Sequence, residues 1–150
     1  MKDKISGQVN LSALLDKNAA SKLIESLTFR GNQSARDADA LCTVVGSPSF
    51  KDDRAASTAR QAGFAATLLK TWHEFGGEVC AQLGGTYAIV IVDTRRECVF
   101  LAVDRFAIQT LCYRIDEQTL AFSDRADCVQ GGGDELDPQA IFDYLYFHMI

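Results

Sequence analysis

The run "YAIVIV", residues 87–92, is apolar at every position. Side chains alternate between the two faces of a strand, so a strand of this composition is apolar on both. Its sheet must therefore be covered on each side, and the rest of the chain has to supply two covering layers. The run is far too short to cross a bilayer. Around it the sequence keeps the same character: "TYAIVIVD", "CVFLAV", "LCYRI" and "LAFS" are short β-rich runs separated by "TRRE", "DRFAIQT" and "DEQT", which reads as an antiparallel meander.

Helical material precedes this block. In "SALLDKNAASKLIESL", Leu15, Ala19, Leu23 and Leu27 recur at helical spacing, with Ser12 as the expected N-cap. Before it lies a short apolar-polar opening, residues 5–11. "FRGNQSARDAD" reads as loop, followed by a short strand over residues 41–45 that Gly46 and Pro48 are expected to break. A second helix is expected over residues 53–75, with Phe64, Leu68, Trp72 and Phe75 as its apolar stripe and Gly76-Gly77 as its end. "EVCAQL" is a short helical piece that stops at Gly84-Gly85. After the meander, "QGGGDEL" reads as a hinge, and Asp137-Pro138 opens a last helix with an N-cap and an N1 proline. That helix pattern runs to Ile150 without a C-cap, which suggests a connector into a larger protein.

The 150 residues suit one domain with a proper core. A net charge of −5 with scattered basic residues leaves no electrostatic footprint for nucleic acid. The opening "MKDKISGQVN" lacks the apolar centre of a secretory signal. The five cysteines are widely spaced, with no CxxC or Cys/His cluster, so zinc is not expected and they read as small core residues in a reducing, cytoplasmic compartment. "GGG", residues 131–133, has neither the preceding strand nor the following Lys-Ser/Thr of a phosphate loop. No cofactor, metal or membrane is expected.

Residues 68–113, "LLKTWHEFGGEVCAQLGGTYAIVIVDTRRECVFLAVDRFAIQTLCY", resemble the glutaminase (class II glutamine amidotransferase) domain of asparagine synthases. The family pattern is roughly "LL..W.E.G......L.G.FA.A..D.....L.L.RDR.GI.PLYY". "LDPQAIFDYLYFHMI" is similar to the family's connector into its ATP-using synthetase domain, and "FRGN" weakly echoes "HRGPD". The resemblance implies an α+β fold of the N-terminal-nucleophile hydrolase type: an α-β-β-α sandwich of two antiparallel sheets, one of them reduced because the early strands are few. It makes residues 1–130 the glutaminase-like domain and residues 131–150 the hinge and the start of a connector helix. It also makes Gly84, Gly85, Asp93, Asp104 and Arg105 framework residues. On this reading Asp104-Arg105 form a half-buried pair that ties a strand end to neighbouring carbonyls or to Asp93. Within the motif the chain departs at Val103, Ala107, Gln109 and Thr110.

The family's chemistry is missing. Its enzymes use a Cys exposed as residue 1, whose free α-amine acts as the base. Here no cysteine precedes Cys42. They also neutralise the substrate's carboxylate and ammonium groups and stabilise an oxyanion, from segments written "RLSI", "NGEIYN" and "SDTE". "RLSI" is absent, "VGSPSF" (residues 45–50) stands in place of "NGEIYN", and the ammonium-binding Asp falls on Phe64. His73 and His148 read as solvated or capping residues, and Asp52-Asp53 and Asp134-Glu135 as helix-start acids.

Three functions remain open. The first is a non-catalytic glutaminase-like domain of an asparagine-synthase-like, ATP-dependent amide-forming protein, acting as scaffold or partner for a synthetase domain or self-associating. Phe142, Tyr144, Leu145 and Phe147 are its candidate interface. The second is an amidohydrolase in which removal of the first five residues exposes Ser6 of Ser6-Gly7 as nucleophile; otherwise Ser6 is a polar residue on an edge strand. The third is a stand-alone binding or dimerisation module.

Overall fold

The apolar run becomes β4 (Leu83–Asp93), and β3 (Ala40–Phe50) pairs with it antiparallel along its whole length, from Ala40 opposite Asp93 to Phe50 opposite Leu83. β2 (Gln33–Arg36) and β5 (Cys98–Val103) complete an antiparallel four-stranded sheet in the order β2-β3-β4-β5. The computed structural model describes residues 4–16, 19–129, 138–139 and 141–142. No helix among them is long and apolar enough to cross a membrane.

Alternation along β4 feeds two cores. Tyr87, Ile89 and Ile91 face the helices α3 (Asp53–Ala62) and α4 (Phe64–Phe75), and pack with Leu68, Trp72 and Val79. Ala88, Val90 and Val92 face a second sheet and pack with Val9, Leu120 and Phe122. That sheet has three antiparallel strands, β1 (Ser6–Asn10), β7 (Thr119–Ser123) and β6 (Cys112–Asp116), in the order β1-β7-β6. The architecture is thus the expected α+β sandwich of two antiparallel sheets, the smaller of three strands. Two short helices, α1 (Leu11–Leu15) and α2 (Ala20–Ser26), insert Leu14, Leu23 and Ile24 into the core between the sheets.

Several expectations need correcting. The β-rich runs do not form one meander: β4 and β5 lie in one sheet, β6 and β7 in the other, and residues 104–111 carry the chain across. The first helix is two helices, and its cap is Asn10, whose Oδ1 accepts from the Ala13 amide at 3.0 Å, while Ser12 lies inside α1. The helix over residues 53–75 is also two, divided at Gly63, whose φ of 89° and ψ of 148° cannot continue a helical path. Phe75 is exposed, so the buried stripe ends at Trp72.

β2 lies within the expected loop. Its residues are nearly all exposed and give no apolar alternation to read. Arg36 explains its placement, because Nη1 donates to the Ile24 and Glu25 carbonyls and Nη2 to that of Leu27, satisfying the carbonyl end of α2.

Gly46 and Pro48 do not break β3. Pro48 sits beyond Val44, where β2 no longer pairs, so its missing N–H costs no ladder bond on that side. The strand passes Gly46 (φ 101°) and lies against Gly85 (φ 81°) on β4. A Cβ on Gly85 would stand 2.3 Å from the Ser47 carbonyl oxygen, whereas one on Gly84 meets nothing closer than Ser49 Oγ at 3.4 Å. Gly85→Ala should therefore cost about 1–3 kcal/mol from backbone strain alone, with the clash adding to it. Gly84→Ala should be close to neutral. Urea unfolding midpoints of the two variants check the contrast.

Candidate functional site

Ser6, the one nucleophile expected from the sequence, opens β1, preceded among the described residues by Lys4 and Ile5. Its amide donates to the Arg30 carbonyl at 3.2 Å, and the Arg30 amide returns a bond to the Ser6 carbonyl at 2.9 Å. The residue before it, Ile5, is fully buried between the sheets. Lys4 N donates to Asp124 Oδ1 at 2.8 Å, and Asp124 N donates to the Ile5 carbonyl at 3.1 Å. The nitrogen that would serve as base is thus an amide already engaged in a bridge. Exposing Ser6 as a terminus would remove Ile5 from the core.

Phe29 closes over this strand. A Cβ on Gly7 would stand 2.4 Å from its ring, which packs edge-on against Phe122 at 5.0 Å between centroids. The shallow groove beside Ser6, of about 530 Å³, is lined by polar and apolar side chains such as Gln8, Thr28 and Cys128 and, among the described residues, by no charged one. None of these described lining residues offers a cation for a carboxylate or an anion for an ammonium group. Phe64, expected from the resemblance to stand in place of the ammonium-binding Asp, is buried and stacks on Phe50 at 4.7 Å. It belongs to the helix-side core, on the other face of the four-stranded sheet from Ile5. Cys42, buried in that same core, has its thiol pushed up to about 12 by burial and is no nucleophile near neutral pH.

Charge is concentrated instead in two buried carboxylates. Asp93 is fully buried at the end of β4. It accepts from Trp72 Nε1 at 2.6 Å, Arg96 Nη1 at 3.0 Å and the amides of Arg95 and Arg96, both at 2.9 Å. Arg96 also donates to the His73 carbonyl at 3.1 Å and lies 5.3 Å over the Trp72 ring, while His73 Nε2 meets Asp37 Oδ2 at 2.7 Å. Asp104, 4% exposed, accepts from the amides of Tyr87, Phe106, Ile108 and Gln109 at 3.0–3.3 Å. Burial pushes both carboxyls up, but the hydrogen bonds outweigh it and hold them below the ordinary value. For Asp93 these come from the Arg96 amide, Trp72, the Arg96 guanidinium and the Arg95 amide; for Asp104, from Gln109, Ile108, Phe106 and Tyr87.

Residues 50–150 match the glutamine amidotransferase domain family. The chain belongs to that family. The match begins at Phe50, after the segment that contains Ser6, and includes both buried carboxylates. No curated protein matches the chain.

Within this amidotransferase domain the expected framework residues separate. Asp93 and Asp104 lie inside the fold, at opposite ends of the β4–β5 ladder. Arg105 does not form the expected half-buried pair with Asp104. It is exposed, with its guanidinium 5.9 Å from the Phe106 ring, because four amides already satisfy the carboxylate. His73 is half-buried on α4, and Asp52 caps α3 by accepting from the Ala55 amide at 2.8 Å, with Asp53 in the first turn. Phe142 is 47% exposed; Tyr144, Leu145, Phe147, His148, Asp134-Glu135 and the glycine hinge lie outside the described residues. The parts of Trp72, Arg96, Arg36 and Phe29 were not anticipated. "DTRRE", an acid followed by two arginines at the end of an apolar strand, carried a signal for Arg96; Phe29 carried none.

Arg105→Ala should leave the unfolding midpoint near wild type, whereas Asp104→Ala, which orphans buried amides, should lower it clearly. An unfolded aspartate titrates near about 3.9. Because both folded carboxyls lie lower, their stabilisation is complete above about pH 4 and is lost as pH falls through the folded values. Urea unfolding across pH 2–7 should show this loss, and Asp93→Asn or Asp104→Asn should flatten the slope.

Proposed function

We propose that this amidotransferase domain does not hydrolyse glutamine and serves as a scaffold beside an ATP-using synthetase domain in an asparagine-synthase-like, amide-forming system of the cytoplasm, with residues 131–150 as the connection. The observation that carries the proposal is the engagement of the Ser6 amide with the Arg30 carbonyl behind a fully buried Ile5. N-terminal-nucleophile catalysis needs a free α-amine at the nucleophile, and losing the nucleophile removes nearly all covalent catalysis. The stacked Phe50–Phe64 pair supports the same reading, since two buried rings stacked on one another offer a substrate ammonium group no counter-charge.

Incubated with glutamine, the purified protein should release ammonia at the rate of a protein-free control. It should also take up no glutamine-mimicking electrophile at its N-terminus, as judged by intact mass. Ammonia release above that control and abolished by Ser6→Ala would overturn the proposal, most directly if the active material lacked its first five residues.

A further inference from the structure

Each sheet of the sandwich has two edges, and they are not alike. β1 is bridged to Arg30, and β2 carries the polar row Gln33, Ser34 and Arg36. β6, like β5 in the larger sheet, has a strand neighbour on one side only among the described residues. Natural sheet edges are blunted by lysine, proline, bulges or inward charge, and β6 has none of these on its inner face. Tyr113 and Ile115 are paired with Phe122 and Leu120, so they project to the same face as those core residues. Yet they are 61% and 56% exposed. With Val103, Phe106 and Ile108 they make up five of the nine large apolar side chains exposed among the described residues. The connection bearing Phe106 and Ile108 is fixed by the hydrogen bonds to Asp104, so it needs little ordering on association.

The charges on β6 select an occupant. Arg114 and Asp116 lie two residues apart on the opposite face, 3.6 Å from one another, with Ile115 between them. If a second β6 is laid antiparallel about a two-fold axis at Ile115, Arg114 falls beside Asp116 of the second copy, and Asp116 beside its Arg114. An axis at Arg114 sets two arginines opposite each other, and an axis at Tyr113 leaves both charges opposite the uncharged Cys112 and Thr110. Only the Ile115 axis satisfies both charges twice, as an isologous contact requires.

We infer that β6 is a self-complementary edge on which a second copy of this chain adds antiparallel about Ile115, joining the two three-stranded sheets into one. The inference goes beyond the catalytic reading and does not depend on it.

Sedimentation equilibrium over a wide concentration range tests it without any measurement of activity. Wild type should associate reversibly to a dimer. Ile115→Lys should remain monomeric and, when dilute, melt like wild type. Arg114→Asp should weaken the dimer by roughly tenfold or more, because two attractive cross-strand pairs become repulsive. Arg114→Asp/Asp116→Arg should restore it to within a few-fold of wild type. A wild-type chain monomeric throughout, an Ile115→Lys variant that dimerises like wild type, or a double variant no tighter than Arg114→Asp would overturn the proposal.

Discussion

The β3–β4 ladder is the constraint on which the rest of the molecule depends. Both strands are buried along most of their length, and β4 presents large apolar side chains to either face. One layer would leave half of that surface in water, at about 25 cal/mol per Å² of apolar area. The helices α3 and α4 cover one face and the three-stranded sheet covers the other. Neither layer has a comparable core without it. The close approach of β3 to Gly85 and the crossing of residues 104–111 between sheets both serve this central pair.

Two buried aspartates fix the ends of the arrangement by different means. Asp93 is compensated by a guanidinium, an indole and backbone amides, and so ties β4 to α4 and to the turn that leads into β5. Asp104 has no cation among its hydrogen-bond partners in the described residues and relies on amides of its own turn and of Tyr87. An unpaired buried charge would be costly, and several converging amides meet that cost as well as an ion pair can. This is why the neighbouring arginine is free to lie on the surface.

The amidotransferase family match and the position of Ser6 bear on different parts of the chain. The sandwich from Phe50 onward retains the family's framework, while β1 is held inside the fold by residues on both sides of Ser6. Packing depends on shape and apolar area, whereas covalent catalysis depends on a few placed atoms, so a shared framework does not by itself carry a family's chemistry. Phe29 packs against Gly7 and Phe50 against Phe64, so both places are filled by apolar contacts.

The sequence by itself determined the elements whose signal is local. The doubly apolar β4, the apolar face of α4 through Phe64, Leu68 and Trp72 and the stop at Gly76 are all legible in single short stretches. The tertiary structure decided what depends on distant partners. Polar β2 exists because β3 offers it an edge and because Arg36 has two carbonyls of α2 and that of its C-cap Leu27 to bind. The chain crosses between the sheets on a turn whose amides converge on Asp104, and nothing in "DRFAIQT" alone distinguishes a hairpin from a crossing. Gly63 divides one helical pattern into two through a dihedral angle that composition does not encode. The roles of Asp104 and Arg105, adjacent in the chain, separated only once backbone amides from another strand and from the turn were brought within hydrogen-bonding distance of one of them.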